Sequence, residues 1–430
     1  MAESFDVAVV GAGPAGSAAA LSAAQQGLSV LLLDRGEFVG SKNLSGGMLL
    51  TRVLEELVPD YATSAPLERP VEHQRVMVTA AERALTIDIG NAGFTRPPYN
   101  GFTVLRRRFD AWLADQAATA GAVVVAEAVV DDLITEGSQV VGLKVRGPEG
   151  EVRAKVVVLA DGVNSLLAKK AGLRGPHRME DLSLGVKELL ALPSDVIEAR
   201  FGLLPGRGAA YAVIGDFLAG MGGGGFVYTN RETVSLGAVV ALSDLVELKI
   251  PADQILENFK AVPEIARLLE GAKLIEYGAH LVPEGGYAAL PKLFGNGVLV
   301  AGDAAGLVVN TGLLMMGMNL ALDSGRCAGI AAGGAIAAGD VSAGGLARYR
   351  QLLEQSVGLS ALAVHRRAPQ LLRLKRIFDW YPALVNDLVE DVVTVGPGRK
   401  EGLIKIARRH LRPGQMMTVA GDALRAARAL

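Results

Sequence analysis

Phe5-Asp-Val-Ala-Val-Val10 is an apolar run that ends in Gly11-Ala-Gly13-Pro-Ala-Gly16. A second apolar run, Leu28 to Leu33, ends in Asp34. Short apolar runs bounded by turn residues are typical of buried strands, and the stretch between the two runs is long enough for a helix. The sequence therefore predicts a strand, a glycine turn, a helix and a second strand that ends in an acid. This unit binds dinucleotides in many proteins.

Each residue of this glycine turn has a predicted task. Gly11 permits the tight turn, Gly13 lets the backbone approach a pyrophosphate, and Gly16 lets helix and strand pack closely. Pro14 and Ala15 then form the positive end of the helix, where phosphates bind. Asp34 lies 18 residues after Gly16, near the spacing of about 20 expected of an acid that holds a ribose. A lone glycine triplet is weak evidence, but here the flanking strands and the acid agree with it.

Composition narrows the class of protein. The chain has 430 residues, of which 50% are hydrophobic, 5% are aromatic and 53 are glycine. This profile is typical of an Ala/Gly/Val-rich α/β enzyme with two or three domains. The formal net charge is -2, which argues against a general affinity for nucleic acid.

Cysteine and histidine usage predicts no metal site. Cys327 is the only cysteine, so this chain cannot form an intrachain disulfide or a cysteine-ligated iron–sulfur or zinc cluster. The five histidines lack ligand spacing and are predicted to be structural or surface groups: His73, His177, His280, His365 and His410. The first strand begins almost at once, so we expect no signal peptide and a cytoplasmic protein. The uncharged stretch 304–322 is interpreted as a loop and a buried helix, not a membrane span.

The apolar pattern changes along the chain and predicts three regions. Val156 to Ala160 and Val298 to Ala301 are apolar runs typical of a parallel sheet, whereas strands with few helices fill about Gly175 to Gly286. We predict an α/β fold: a Rossmann-like nucleotide-binding domain, interrupted by an antiparallel-sheet substrate domain and followed by a helical carboxyl-terminal region. The predicted ranges are 1–70, 100–175 and 287–342 for the first, 71–99 and 176–286 for the second, and 343–430 for the third. A helix is predicted over 48–57.

Two further acids favour FAD over NAD. Gly302-Asp303 follows the last apolar run, where the ribityl chain of a flavin would lie, and Ala160-Asp161-Gly162 closes the run before it. A nicotinamide enzyme needs only one glycine turn and one acid. Together with Asp34, these elements are typical of flavoproteins with interrupted nucleotide domains. The alternative is that the later acids only cap helices or close turns.

Several longer stretches agree with one family: Gly40-Ser-Lys-Asn-Leu-Ser-Gly-Gly47, Ala160-Asp-Gly-Val-Asn-Ser165, Gly225-Phe-Val-Tyr-Thr-Asn230, Glu276-Tyr-Gly-Ala-His-Leu-Val-Pro-Glu-Gly-Gly-Tyr287 and Gly302-Asp-Ala-Ala305. In them the chain resembles the FixC-type branch of the electron-transfer-flavoprotein:quinone oxidoreductases, within the geranylgeranyl-reductase-like flavoproteins. The resemblance spans Phe5 to about Ala328. The chain departs from the family pattern at Asp34, where glutamate is commoner, and over 310–317.

The resemblance implies a set of FAD contacts. Asp34 would hold the adenosine ribose and Asp303 the ribityl chain, while Arg106 would neutralise phosphate charge. Gly317, Met318 and Asn319 open a predicted helix whose positive end would stabilise charge on the reduced flavin, so no catalytic acid or base is assigned. The other implied contacts are Gly11, Gly13, Pro14, Ala15, Gly16, Arg35, Lys42, Asn43, Ser45, Gly46, Gly47, Val129, Ala160, Asp161, Gly162 and Gly302.

The resemblance also implies a quinone site and protein partners. Gly223, Gly224 and Gly237 match quinone-facing backbone of the family, and Tyr228 could line the same slot; the alternative is a bulge or a flexible strand edge. Family members use an iron–sulfur cluster, which one cysteine cannot hold. The chain is therefore expected to need a small ferredoxin-like iron–sulfur subunit, with an electron-transfer flavoprotein as donor and quinone as acceptor.

Membrane contact is predicted from the basic segment 365–376, which has no acidic residue and leads into Phe378, Trp380 and Tyr381. Basic groups beside aromatic residues suit the inner face of the cell membrane or an acidic partner. A solvated helix face is the alternative.

Two other functions are considered. A geranylgeranyl-reductase-like isoprenoid reductase is disfavoured because Gly225-Phe-Val-Tyr-Thr-Asn230 replaces the aromatic pattern common in that group. The second is a flavin-bearing assembly subunit with little turnover of its own. A flavin monooxygenase or halogenase is a third alternative, less favoured than the isoprenoid reductase.

Overall fold

The computed structural model describes residues 3–43, 46–147, 150–396 and 401–430. Its strands, in chain order, are β1 (Glu3–Val10), β2 (Val30–Leu33), β3 (Gly46–Leu50), β4 (Leu67–Ala80), β5 (Arg83–Gly90), β6 (Gly101–Leu105), β7 (Val123–Val125), β8 (Val130–Glu136), β9 (Gln139–Val145), β10 (Glu151–Leu159), β11 (Leu182–Ala191), β12 (Gly208–Gly215), β13 (Gly223–Thr229), β14 (Thr233–Ala241), β15 (Lys273–Pro283), β16 (Phe294–Gly295), β17 (Val298–Val300), β18 (Val309–Asn310) and β19 (Met315–Met316).

The helices, in chain order, are α1 (Pro14–Ala24), α2 (Arg52–Leu57), α3 (Tyr61–Ser64), α4 (Arg106–Thr119), α5 (Leu166–Lys170), α6 (Ser194–Phe201), α7 (Leu242–Leu248), α8 (Ala252–Lys260), α9 (Pro263–Leu269), α10 (Met318–Ala337), α11 (Ala343–Leu346), α12 (Arg348–Gln355), α13 (Val357–Val364), α14 (Ala368–Leu372), α15 (Trp380–Val393), α16 (Leu403–His410) and α17 (Pro413–Ala429).

The first sheet is the predicted nucleotide-binding sheet. Its strand order is β16-β17-β10-β1-β2-β7, and β1 is parallel to both β10 and β2. The apolar runs predicted as buried strands form β1, β2, β10 and β17, which confirms those predictions. α1 packs against α10 through small residues: a Cβ on Gly329 would lie 2.7 Å from Ala19 O. Because the two helices touch through backbone, they approach closely over the sheet.

The second sheet is mostly antiparallel, with strand order β15-β11-β14-β13-β12-β4-β6-β3 and β5 attached to β4. One face packs on α8 and α9 and forms a separate core that includes Val227, Leu236 and Phe259. Since side chains alternate across a strand, Phe226 and Tyr228 on β13 belong to the opposite face. That face carries the cavity described below.

The long strand β4 joins this sheet to segments assigned to the nucleotide domain. Its start pairs with β6, and its continuation pairs with β12. The prediction of a helix over 48–57 is wrong at its beginning, because Met48 pairs with Thr103 in the β3–β6 ladder and α2 starts only at Arg52. Tertiary pairing here overrides the local pattern. The three domain ranges stay a prediction.

The carboxyl-terminal helices pack onto both sheets. The Tyr349 hydroxyl donates to Val300 O (2.9 Å), and Phe378 is buried in the second core. Asp422 on α17 accepts hydrogen bonds from Arg376, Tyr381 and Arg425. The stretch 304–322 is a loop with two short strands followed by the start of α10, as predicted. None of the helices in the described ranges has the length and apolar character that crossing a bilayer requires.

Candidate functional site

At two positions of the glycine turn after β1, steric contacts within the chain explain why the residue is glycine. Gly11 has φ +94°, which side chains other than glycine rarely adopt, and a Cβ there would overlap Ala160 O. A Cβ on Gly16 would overlap Gly11 O. Gly13 differs, because a Cβ there would meet no atom within 4 Å. Packing within the chain thus explains Gly11 and Gly16, while Gly13 faces open space.

The amino end of α1 offers free hydrogen-bond donors beside Gly13. Gly13 is the N-cap and Pro14 follows it, and no side chain caps the helix. Ser17 N–H donates to Gly13 O (2.9 Å), so the amides of Ala15 and Gly16 precede the first bond of the helix. Such amides and the positive end of the helix dipole bind phosphate. This arrangement fits the pyrophosphate of a dinucleotide.

Asp34, at the end of β2, is positioned by backbone amides. Its Oδ2 accepts from Ala12 N–H (2.9 Å) and its Oδ1 from Gly36 N–H (2.7 Å). Each carboxylate oxygen has a further lone pair, so both can still accept a ribose hydroxyl. Ala128 N–H donates to Asp34 O (2.8 Å), which brings Val129 beside the same turn. Arg35 and Lys42 are exposed nearby in sequence.

The later acids reach the same end of the first sheet through parallel pairing. Ala160 N–H donates to Val10 O (2.9 Å), which places Asp161 and Gly162 beside the glycine turn. A Cβ on Gly162 would meet no atom within 4 Å. Asp161 Oδ1 is buried without a hydrogen-bond partner among the described residues, and desolvation raises the pKa of this carboxyl. An unpartnered acceptor beside open glycines fits a bound hydroxyl-bearing cofactor.

Gly302 and Asp303 follow β17 in a 3-10 turn. Ala301 N–H donates to Leu159 O (2.9 Å) and Ser165 Oγ donates to Ala304 O (3.1 Å). These bonds bring the segment around Ala304, which lies 139 positions after Ser165, close to Asp161. Desolvation raises the pKa of Asp303, and the positive charge of Arg106 opposes that shift.

Arg106 already has a carboxylate partner. Its Nε and Nη2 donate to Asp110 Oδ1 (2.9 Å) and Oδ2 (2.8 Å), and Asn43 Nδ2 also donates to Asp110. Asp110 is fully buried. The positive charge of Arg106 is therefore already partly neutralised by Asp110, and a bound phosphate would share this arginine with that carboxylate. The Asn43 contact orients the loop that follows β2.

The amino end of α10 meets the start of β3. Gly317 is the N-cap of α10. It has no side chain that could accept a hydrogen bond from the first backbone amides of the helix. A Cβ on Gly47 would lie 3.5 Å from Met318 Sδ, and a Cβ on Gly46 would overlap Val104 O. Asn319 is buried. Ser45 lies outside the described residues.

Three titratable residues near this site were given no role in FAD binding by the sequence analysis: Lys187, Glu276 and His280. Desolvation, with the positive charge of Arg106, lowers the pKa of Lys187 to about 8. Desolvation and the charges of Lys187, Arg106 and Arg35 lower the pKa of His280 to about 4. The cluster suits a cofactor that carries negative phosphates. The sequence held one sign of this cluster: Lys187 is a charged residue within the otherwise mostly apolar strand β11.

Lys187→Met should weaken FAD binding by about 10- to 100-fold, since a hydrogen bond to a charged group contributes about 1.5–3 kcal/mol. Lys187 carries its positive charge below its lowered pKa of about 8 and loses it above. Wild-type affinity for FAD should therefore fall as the pH rises through that value, whereas the affinity of the variant should lack this pH dependence.

Fluorescence titration of flavin-free protein at several pH values measures both effects. Lys260→Met is the control, because Lys260 pairs with Glu188 on the other face of the sheet. Wild-type affinity in Lys187→Met on both sides of pH 8 would contradict the assignment.

A cavity of about 250 Å³ lies on the second sheet. Gly223, Gly224 and Tyr228 line it, together with Met48 and Met315. Burial raises the pKa of Tyr228 to about 12, so its hydroxyl stays protonated.

Gly237 is absent from the cavity wall. A Cβ there would lie 2.7 Å from Phe226 Cε1, so the Phe226 ring accounts for this glycine. The quinone-site assignments stay predictions.

The fold, and the site formed by the glycine turn with Asp34, Asp161 and Asp303, are those of an FAD-dependent oxidoreductase. Comparisons with known proteins agree. Residues 6–179 match the family model "FAD dependent oxidoreductase", and residues 368–430 match "ETF-QO/FixC family C-terminal domain". Protein FixC of Escherichia coli K12 is 43% identical over 406 residues, which cover 94% of each chain. A probable electron transfer flavoprotein-quinone oxidoreductase of the same strain is 39% identical over 428 residues, covering 100% of this chain and 99% of its own. This chain belongs to the ETF-QO/FixC family.

Solved structures agree on the fold. A geranylgeranyl bacteriochlorophyll reductase-like protein from Thermoplasma acidophilum has a TM-score of 0.74 at 22% identity, covering 98% of this chain and 100% of its own. The FAD-dependent halogenase CndH has a TM-score of 0.62 at 20% identity, covering 99% and 91%. The match to the FAD dependent oxidoreductase model identifies FAD as the cofactor, and FAD supplies one- and two-electron redox chemistry when bound.

Proposed function

We propose that this protein transfers electrons from an electron-transfer flavoprotein, through FAD, to a membrane quinone. The cavity on the second sheet carries the proposal. Its wall is mainly apolar, and two residues of that wall are close in sequence to predicted flavin contacts: Met48 directly follows Gly47, and Met315 lies two residues before Gly317. A quinone needs an apolar slot with a few hydrogen-bonding groups, placed near the flavin. The name of the 39%-identical relative supports the same donor and acceptor.

We propose a separate ferredoxin-like iron–sulfur subunit as a further partner. Cys327 is buried, and desolvation raises the pKa of its thiol to about 12. A buried thiol that stays protonated is a poor metal ligand. No group of three or more metal-ligating side chains occurs among the described residues. The isolated chain should contain no stoichiometric iron, and finding it would contradict this part of the proposal.

Cytoplasmic location with contact at the inner face of the membrane is also proposed. Three charges of the basic segment have partners within the chain: Arg373 with Asp181, Lys375 with Asp244, and Arg376 with Asp422. Arg366 and Arg367 are left as the candidates for anionic lipid. Flotation with anionic liposomes should be weakened when both are neutralised. Absence of flotation by wild type would end the idea.

The decisive test of the function uses the flavin itself. The bound FAD is reduced by light without a protein donor and is then mixed anaerobically with a short-chain quinone. Prompt reoxidation of the flavin supports the proposal. Absence of reoxidation would instead indicate an assembly subunit with little turnover of its own.

Gly224→Val should slow that reoxidation by about tenfold or more while FAD stays bound. A Cβ on Gly224 would lie 3.4 Å from Val213 O, an ordinary contact, so the strand tolerates the substitution. The added methyl groups occupy the cavity, and displacing a ligand that buries several methylenes costs about 0.8 kcal/mol for each. Stopped-flow absorbance of the flavin is the measurement. Gly421→Val, at an exposed glycine of α17, is the control. Unchanged quinone turnover in Gly224→Val would remove the assignment.

A further inference from the structure

Glu284 places an acid in the wall of the proposed quinone cavity. It follows directly after β15 and lines the cavity together with Ser183 and Asn310. Ser183 Oγ donates to Glu284 Oε2 (2.6 Å), and Asn310 Nδ2 donates to Glu284 Oε1 (2.8 Å). Both carboxyl oxygens are therefore held in fixed positions by neutral groups. The sequence analysis assigned no role to any of these three residues.

The surroundings of Glu284 favour its protonated form. Desolvation raises the pKa of this carboxyl, and the hydrogen bonds from Ser183 and Asn310 only oppose that shift. No cation among the described residues forms an ion pair with it. Apart from Glu284, the charged and titratable groups of the same cavity wall are Arg75, Glu180, Tyr211, Tyr228, His365 and Arg373. Arg75 pairs with Asp88, Glu180 with Arg178, and Arg373 with Asp181, which precedes β11.

We infer that Glu284 is the proton donor to a quinone carbonyl oxygen bound in this cavity. The inference rests on the proposed function. Reduction of a quinone to a quinol takes two electrons and two protons. The two electrons come from reduced FAD. Glu284 supplies one proton: its carboxyl O–H bond breaks as an O–H bond forms on the quinone oxygen. The second proton comes from bulk solvent, which also reprotonates the carboxylate and takes up the proton that FAD releases on oxidation.

The two hydrogen bonds explain why Glu284 can release its proton. After transfer, the carboxylate has one donor on each oxygen, from Ser183 and from Asn310, and such bonds stabilise the charged form. A general acid works best when its pKa lies near the working pH. Tyr228 in the same cavity is a poorer acid, because burial raises its pKa to about 12.

The test compares two acceptors on the FAD-loaded protein. Glu284→Gln keeps the shape and the hydrogen-bonding capacity of the side chain but cannot release a proton. With photoreduced flavin, the variant should reoxidise about 10²- to 10⁴-fold more slowly with a short-chain quinone, the usual effect of losing a general acid. Ferricenium takes one electron and no proton, so its reaction should match wild type. Glu82→Gln, at an exposed acid of the turn between β4 and β5 outside the cavity wall, is the control and should react like wild type with both acceptors.

Infrared spectroscopy gives a readout that is independent of turnover. Wild-type protein should show a protonated carboxyl band that disappears as the pH rises and that is missing in Glu284→Gln. Ser183→Ala removes a donor to the carboxylate, which raises the Glu284 pKa. The loss of the band and the fall of the quinone rate should both move to higher pH in this variant. Ser183→Ala also serves if Glu284→Gln fails to fold.

The outcomes separate the inference from the proposed function. Wild-type flavin that quinone does not reoxidise contradicts the proposed function itself. Wild type and Glu284→Gln that react equally fast with quinone overturn the inference and leave the function standing. Equal slowing with quinone and ferricenium also overturns it, because the substitution would then act on the flavin and not on proton transfer. An infrared band that persists in Glu284→Gln, or that does not move in Ser183→Ala, overturns it as well.

Discussion

Gly13→Val should fold normally and fail to retain FAD. A Cβ at position 13 meets no atom of the chain within 4 Å, so valine costs the ligand-free protein little. The same open space lies against the free amides of α1, where the pyrophosphate is proposed to bind. Loss of two charge-assisted hydrogen bonds of about 1.5–3 kcal/mol each would weaken binding by about 100-fold or more.

Two glycine variants serve as comparisons for Gly13→Val. Gly16→Ala should destabilise the ligand-free protein, because its Cβ would overlap Gly11 O. Gly334→Ala, at an exposed open position of α10, should leave FAD affinity unchanged and raise stability by up to about 1 kcal/mol. Thermal unfolding of flavin-free protein and the flavin absorbance of purified protein measure the two properties separately. A Gly13→Val protein that purifies with full flavin content would refute the pyrophosphate assignment.

Arg69→Met should lower the free energy of unfolding by about 3–5 kcal/mol, because several acceptors lose the charged donor that they share and each such bond contributes about 1.5–3 kcal/mol. Arg69 is 1% exposed. Its guanidinium donates to Glu198 Oε1 (2.8 Å), Ser194 Oγ (2.7 Å) and Asn230 O (2.6 Å). It also donates to the carbonyl oxygens of Arg207 and Arg231. Methionine fills the volume but leaves these buried acceptors without a donor.

The contacts of Arg69 explain why the loss should be global. They join the start of β4 to α6 and to the turn between β13 and β14, three segments that are far apart in sequence. Arg52→Met is the matched control, because Arg52 is exposed and its pair with Glu55 lies within one helix. Such surface pairs contribute about 0–1 kcal/mol. Urea unfolding of both variants is the measurement, and equal losses would disprove the role of Arg69.

Much of the nucleotide unit could be predicted because its pattern is local. β1, α1 and β2 are contiguous, and the apolar runs of β10 and β17 identify buried strands without knowledge of their partners. The helix predicted over 48–57 was wrong at its start because Met48 pairs with Thr103 on β6, about fifty residues away. No local pattern distinguishes that pairing from the first turn of a helix.

The sequence by itself determined the class of fold and the cofactor, because these follow from short runs whose spacing carries the information. It indicated the family through the resemblance of several longer stretches. Only the tertiary structure decided which distant residues share a surface. It set Lys187 opposite Gly237 and Gly278, placed the Phe226 ring over Gly237, and joined Glu284 to Ser183 and Asn310. The physical reason is strand register: a shift of one residue between β11 and its neighbours would turn every side chain to the other face, and register depends on the packing of the whole sheet.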